Sequence, residues 1–363
     1  MRLTELIRRS GLVPPPMVTP AHADPEIAGL SSDSRTVQAG YLFAALAGTK
    51  ADGARFINDA ARKGAVAALV GEGAHGVDAE LALVQAKDAR LALARFAAGF
   101  YGIQPRVVAA VTGTNGKSSV AHFTRAIWQS LGLQAASMGT LGLVSPRLNR
   151  AGGLTTPDPV AIHRDLAELA KAGVDHLALE ASSHGLDQHR LDGIGFAAAA
   201  YTNLSRDHLD YHRTMEAYFA AKARLFADLL PAGGTAVINA DTPEAESLIA
   251  LGRSRRHRLL RYGAAGSELK LLSTAMTAHG QRLALDVLGR RYEIELNLVG
   301  AYQAANVLAA LGLVLAEDIS IDRAVAALAS LEGAPGRLQH VGSTKDGAPV
   351  YVDYAHTPDA IEA

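Results

Sequence analysis

Nine consecutive residues, Val111-Thr112-Gly113-Thr114-Asn115-Gly116-Lys117-Ser118-Ser119, join two glycines to a lysine and two serines. Glycine lets the backbone turn tightly enough for successive N–H groups to face one anion. A helix beginning just after them adds the positive end of its dipole. In such a loop Lys117 neutralises β- and γ-phosphate oxygens, and the Ser118 hydroxyl reaches Mg²⁺. The candidate phosphate-binding set is therefore Gly113, Thr114, Asn115, Gly116, Lys117, Ser118 and Ser119. The usual eight-residue motif carries Gly where this chain has Val111, so the match is partial. A glycine turn that merely caps a helix is the competing reading, and the Gly-Lys-Ser ending between a strand and a helix counts against it. The loop specifies a nucleotide, not a reaction, because kinases, motor ATPases and ligases share this physics.

Other residues of chemical interest follow. Glu180 closes an apolar run, and the carboxyl ends of strands are where α/β sheets place ligands. A carboxylate there suits Mg²⁺ between phosphates, whereas a surface glutamate is the ordinary alternative. Lys222 and Tyr218 are four residues apart and share one helix face, where a solvated lysine is the ordinary reading. Thr155-Thr156-Pro157 reads as a turn before a helix capped by Asp158.

The elements that must position these groups fall into three regions of a 363-residue chain. The first, 1–102, holds strand-like runs at Ala65 to Val70 and Leu81 to Gln85 and an Ala-rich amphipathic helix from Ala89 to Phe100. Gly102 and Pro105 punctuate a linker. The second, 103–337, opens with Val107-Val108-Ala109-Ala110-Val111, an apolar run of the kind found in a buried parallel strand. Helices are expected at Ser118 to Leu131, Val160 to Ala172 and Met215 to Leu229. Strands are expected at His176 to Leu179, Ala197 to Tyr201 and Thr235 to Ile238. This alternation predicts an α/β domain with a mainly parallel sheet. Period-two patterning between Leu269 and Leu298 predicts an antiparallel extension, and helices resume at Tyr302 to Leu315 and Ile321 to Leu328. The third region, 338–363, reads as the start of a further Rossmann-like domain.

Hydrophobic residues make up 49% and charged residues 20%, the balance of a folded globular protein. The formal net charge is -1, so no general excess of positive charge exists to hold a nucleic-acid backbone. The chain has no cysteine, which excludes disulfides, thiolate metal sites and a cysteine nucleophile. No apolar run approaches the roughly 18 residues of a membrane span. A cytoplasmic protein that does not engage membranes is expected, and a monomer by default.

The whole motif set resembles the Mur ligase family. Its carriers are Gly113-Thr114-Asn115-Gly116-Lys117-Ser118, Thr155-Thr156-Pro157, the run from Glu180 to Leu186, the run from Thr202 to His212, Tyr218 to Lys222, Asn239 to Asp241, Gly300 to Asn306, Gly336-Arg337, and Asp353 to Asp359, in that order. Ser32-Asp33-Ser34-Arg35 with Gly40 to Ala44 resembles the family's UDP-binding N-terminal domain. Glu180 to Leu186 and Arg206 to His212 look like the branch that extends UDP-N-acetylmuramoyl-L-Ala-D-Glu by a third amino acid, meso-diaminopimelate or L-lysine, in cell-wall peptidoglycan synthesis.

The resemblance implies an ATP-dependent acid–amino-acid ligase working through an acyl phosphate. It implies Lys117, Glu180, His208 and Lys222 as catalytic residues and Mg²⁺ held by Ser118, Glu180, His208 and a carbamylated Lys222. It assigns Asn306, Arg337 and Asp353 to the nucleoside side of ATP, with His356 near the base. It assigns Ser34, Thr155, Thr156, Ser182, Gln188 and Arg190 to the UDP-sugar dipeptide. Gln303 stands where the family usually has Asn. His184 and His212 are read as hydrogen-bonding loop residues. Since family members carry a further C-terminal domain for the incoming amino acid, this chain alone is expected to bind its substrates and ligate poorly. The alternatives are another Mur or folylpolyglutamate-type ligase, a non-catalytic binder of the UDP-sugar dipeptide, and a plain P-loop ATPase or kinase.

Overall fold

The computed structural model describes residues 1–20, 22–48, 52–72, 80–277 and 280–355. His356 and the following residues of the Asp353 to Asp359 motif lie outside them. The chain divides into two compact units. One is Met1–Gln104 with Pro157–Glu168 and Gln188–Ile194, and the other holds Pro105–Thr156, Leu169–Asp187 and Gly195 onward.

In the first unit β1 (Met17–Thr19), β2 (Gly29–Ser31), β3 (Tyr41–Ala44), β4 (Ala67–Gly71) and β5 (Ala82–Ala86) form a sheet ordered β1-β5-β4-β3-β2. All neighbours are parallel except β1 with β5. Successive side chains of a strand point to opposite faces. Leu42 and Ala44 accordingly join a core with Leu3, Leu6, Leu69, Val84 and Phe96, while Phe43 joins another with Val37, Ile57, Ala68 and Val70. The helix Ala89–Tyr101 starts where the Asp88 side chain accepts from the Arg90 and Leu91 amides. It stops at Gly102, whose φ of 75° no L-residue adopts cheaply.

The second unit is built on a ten-stranded sheet. Its strands are β6 (Val107–Thr112), β7 (Ala135–Gly139), β8 (Gly142–Val144), β9 (His176–Glu180), β10 (Ala198–Tyr201), β11 (Thr235–Asn239), β12 (Arg258–Gly263), β13 (Leu269–Thr277), β14 (Gly280–Val287) and β15 (Arg290–Leu296). The order is β15-β14-β13-β12-β11-β10-β6-β9-β7-β8, parallel from β7 through β13. Strands β6, β9, β10 and β11 are buried along their whole length, which is why they read as unbroken apolar runs. The expected antiparallel extension is β13 to β15, with Leu283, Leu285 and Val287 alternating into the core. After β6 the chain winds to one side and then, from β10, to the other. The crevice beside β6 is thus a topological switch point.

The helix expected from Met215 to Leu229 is α-helical only to Arg224 and finishes as a π-turn, Leu225–Leu229. Beyond Arg337, β16 (Gln339–Ser343) and β17 (Pro349–Val352) pair as an antiparallel two-stranded sheet. No helix among the described residues is long and apolar enough to cross a membrane.

Candidate active site

β6 ends at Thr112, and the loop Gly113 to Gly116 delivers the chain into the helix Lys117–Ser130. Gly113 and Gly116 have φ of 150° and 86°. A Cβ on Gly113 would collide with the Thr202 hydroxyl, and one on Gly116 with the Asn306 side-chain oxygen. Both glycines are therefore required by conformation and by space. The residues just past β10 clamp the loop from below. Thr202 Oγ1 donates to the Asn115 carbonyl at 2.6 Å. The Asn115 amide donates to Asn203 Oδ1 at 2.9 Å, and the Thr114 amide to the Asn203 carbonyl at 2.8 Å. Two of the loop amides assigned to phosphate thus already serve the fold. What remains for an anion is the first turn of the helix, whose amides no intrahelical carbonyl satisfies.

Lys117 curls back, donating to the carbonyls of Gly113 (2.9 Å) and Thr114 (2.8 Å). Burial pushes its pKa down, opposed by Glu180 and Asp207. Ser118 Oγ donates to Glu180 Oε2 at 3.0 Å. Glu180, the last residue of β9, is only 2% exposed. Burial raises its pKa against Lys117 and its hydrogen-bond donors. The carboxylate is also held by Thr140, whose amide donates to Oε1 at 2.8 Å and whose hydroxyl donates to Oε2 at 3.3 Å. Gly139 has no room for a side chain because the Glu180 carboxylate occupies it.

Lys222 is fully buried on the helix Met215–Arg224 and donates to the Gly113 carbonyl at 2.8 Å. Burial holds its pKa well below the usual value, and Lys117 depresses it further. Its amine lies 4.2 Å from the Tyr218 ring centre. The Tyr218 hydroxyl shares a hydrogen bond with Thr114 Oγ1 at 3.2 Å.

His208 adopts φ of 52°, a left-handed conformation unusual for a non-glycine residue. Its ring touches His184 edge-on at 4.8 Å between centres and faces Tyr218 at 6.1 Å. Burial lowers its pKa, with Asp207 opposing and Lys117 and Lys222 adding, so the neutral imidazole is favoured. His184 and His212 are not loop residues as expected. Each lies in a short helix, and both pack in one aromatic group with Tyr211.

The threonines assigned to the dipeptide lie next to Glu180. Thr155 Oγ1 shares a hydrogen bond with Thr140 Oγ1 at 2.9 Å. Thr156 Oγ1 donates to the Glu180 carbonyl (3.0 Å) and accepts from the Ser182 amide (3.0 Å) and hydroxyl (2.9 Å). Asn306 is buried on the helix Gln303–Val314, its amide donating to Gln303 Oε1 at 3.0 Å. Arg337 lies over the Tyr354 ring and acts electrostatically on Lys117. Asp353 accepts from the Leu338 and Ala355 amides. Ser34, Gln188 and Arg190 belong to the other unit, where Arg190 Nη2 donates to Gln188 Oε1 at 2.7 Å and the Ser34 carbonyl accepts from Lys63. Sequence reasoning passed over Thr140 and gave Asn203 no role. The first follows β7, whose mostly small residues give no strong strand signal, and the second lies in a polar stretch like any loop.

A fully parallel sheet centre, a switch point at β6 and a glycine loop running into a helix define a phosphate-loop α/β protein. The family profile described as the Mur ligase middle domain matches residues 111–314, and that described as the Mur ligase family catalytic domain matches residues 26–101. The UDP-N-acetylmuramoyl-L-alanyl-D-glutamate–2,6-diaminopimelate ligase of Mesorhizobium japonicum is 51% identical over 347 residues, 96% of this chain and 72% of that protein. The protein of the same name from a Chelativorans species is 51% identical over 93% of this chain and 69% of its own. A solved structure of a ligase of that name superposes with a TM-score of 0.79 at 32% identity, covering 92% of this chain and 68% of the other. The chain belongs to the Mur ligase family, a family of ATP-dependent carbon–nitrogen ligases.

Proposed function

We propose that this protein joins 2,6-diaminopimelate to UDP-N-acetylmuramoyl-L-alanyl-D-glutamate, at the expense of ATP, in peptidoglycan synthesis. The observation that carries the reading is the convergence of Ser118, Glu180, Lys117 and Lys222 on one phosphate loop. Half-identical relatives named for this reaction support the choice of substrates.

The reaction has two steps. An oxygen of the D-glutamyl side-chain carboxylate forms a bond to the γ-phosphorus while the bond to ADP breaks. The amine of the incoming amino acid then attacks the acyl carbon, gives up a proton, and phosphate leaves. Little of this requires covalent help from the protein, so positioning and charge stabilisation carry it. Lys117 and the first turn of its helix hold the transferred phosphoryl group. Asn306, Arg337 and Asp353 hold the nucleoside side. Thr155, Thr156, Ser182, Gln188 and Arg190 hold the dipeptide, and Ser34 the uridine end.

Ser118 Oγ and the Glu180 carboxylate are hard oxygen donors at one point, which fits Mg²⁺ with the remaining positions left to phosphate and water. Bound there, Mg²⁺ would neutralise charge on the β- and γ-phosphates. His208 presents a neutral imidazole, a borderline partner for so hard a cation. Lys222 as a free amine is no ligand. A carbamate on it would supply oxygens, and its depressed pKa provides the unprotonated amine that carbamylation needs. We further read residues 1–102 as the UDP-sugar domain, 103–337 as the ATP domain and 338–363 as the start of a third, in a monomeric cytoplasmic enzyme.

The test is calorimetric titration of UDP-N-acetylmuramoyl-L-Ala-D-Glu with Mg²⁺ and a non-hydrolysable ATP analogue present. One-to-one binding that is lost in Arg190→Ala supports the reading. Turnover of ATP that ignores the dipeptide contradicts it.

A further inference from the structure

Between the nucleotide loop and the threonines assigned to the dipeptide runs an unbroken chain of hydrogen bonds, and Thr140 is its middle link. Ser118 Oγ donates to Glu180 Oε2 at 3.0 Å, Thr140 Oγ1 to the same oxygen at 3.3 Å, and Thr140 Oγ1 meets Thr155 Oγ1 at 2.9 Å. Thr140 occupies a two-residue turn between β7 and β8, where Gly139 pairs with Gly142. Its backbone is fixed there by its own amide, which donates to Glu180 Oε1 at 2.8 Å.

A hydroxyl carries one proton and can donate only once. While Thr140 donates to Glu180, the proton shared by the two threonines must come from Thr155. Thr155 then has no hydrogen to offer a ligand. A cation bound with its nucleotide at Glu180 Oε2 would compete with both hydroxyls for that oxygen's lone pairs, and the longer contact, that of Thr140 at 3.3 Å, is the weaker of the two. The Thr140 hydroxyl can then rotate and donate to Thr155, which frees the Thr155 proton to point outward. No bond to carbon or phosphorus changes, and each oxygen keeps its hydrogen.

We infer that Thr140 is a positioning residue whose hydroxyl couples occupancy of the magnesium–nucleotide site to recognition of the muramyl dipeptide at Thr155. The inference rests on the function proposed above for Glu180 and Thr155. Coupling of this kind is reciprocal, so either ligand tightens the other by the same factor. The alternative role for Thr140 is purely architectural, with its amide holding Glu180 and its hydroxyl idle.

The test compares the dissociation constant of UDP-N-acetylmuramoyl-L-Ala-D-Glu with and without saturating Mg²⁺ and a non-hydrolysable ATP analogue. It uses the full chain and its Thr140→Val and Thr140→Ser variants, each checked for an intact thermal transition. The ratio of the two constants is the readout, whatever happens to either affinity alone. In the unaltered chain the nucleotide should tighten dipeptide binding at least about fivefold, a typical coupling. Thr140→Val should bring that ratio close to one, and Thr140→Ser, which keeps the hydroxyl, should restore it. A wild-type ratio retained in Thr140→Val, or a ratio of one in the unaltered chain, overturns the inference and leaves the proposed function standing. Failure of the unaltered chain to bind the dipeptide at all overturns the proposed function and this inference with it.

Discussion

Lys117 and Lys222, far apart in sequence, direct their amines at one acceptor, the Gly113 carbonyl, at 2.9 and 2.8 Å. Burial disfavours a charge on Lys222, and the Lys117 ammonium at the same oxygen adds repulsion. The pKa of Lys222 falls accordingly.

Lys222 should therefore react with carbon dioxide at neutral pH. With ¹³C-bicarbonate the protein should give a carbamate carbonyl resonance that Lys222→Arg lacks. The unfolded chain binds a proton at Lys222 more readily than the folded chain does. Stability should therefore rise with pH between the depressed folded value and the unfolded value near 10.5. Lys222→Met, which has nothing to protonate, should flatten that slope in a thermal melt.

Glu180 carries the opposite sign. Its pKa is raised, so the stability it contributes is complete below its unfolded value of 4.5 and is lost as pH rises through the folded value. In magnesium-free buffer, Glu180→Gln should abolish the fall of thermal stability that begins as pH rises above 4.5. It should also lose magnesium-dependent nucleotide binding. An unchanged nucleotide affinity would remove Glu180 from the metal site.

Gly113→Ala should be among the most damaging small substitutions in the chain. It forces a left-handed φ on alanine and drives a methyl group into the Thr202 hydroxyl. A loss of roughly 1–3 kcal/mol is expected for the strain alone, together with loss of nucleotide binding. Urea unfolding and titration with an ATP analogue measure the two effects separately.

His176 offers a titration away from the site. Its ring is fully buried, with Nδ1 2.7 Å from Asp175 and Nε2 2.8 Å from Glu317, which also meets Arg106. Burial opposes its charge, but the two carboxylates outweigh burial and raise the pKa. The stabilisation is present below about pH 6.5 and is lost as pH rises through the higher folded value. Trp128, the single tryptophan, lies 5.0 Å from this ring and reports the change. Its emission should increase with pH as the imidazolium quencher disappears, with a midpoint above 6.5 that drops in Glu317→Gln.

The glycine loop was legible because its chemistry is local. Gly113, Gly116, Lys117 and Ser118 lie within six residues between two strongly patterned elements. Long helices such as Ala89–Tyr101 and buried strands such as β6 and β11 were legible for the same reason. Thr140 was not, because its importance depends on Glu180 arriving beside it from another part of the chain. Nor was the packing of Pro157–Glu168 and Gln188–Ile194 with the N-terminal unit, since nothing in their composition separates them from their neighbours. The π-turn after Arg224 escaped because it continues the helix's apolar pattern while changing its hydrogen bonding. Glu180 was marked by its place at the end of a strand, whereas His208 and Lys222 were singled out by family resemblance and by type alone would have passed as ordinary surface residues.

The clamp of Thr202 and Asn203 beneath the phosphate loop has a consequence for how the protein comes into being. Strand β6 and its loop are synthesised early, but they meet their supports only after β7, β9 and their helices have been made and β10 has docked by a parallel crossover. Such non-local pairings form late and slowly. A nascent chain that has already exposed Gly113 to Ser119 therefore carries a nucleotide motif with nothing beneath it. A nucleotide that needs this supported loop would bind only a chain whose sheet centre has closed, and so would favour the folded state over the unfolded one.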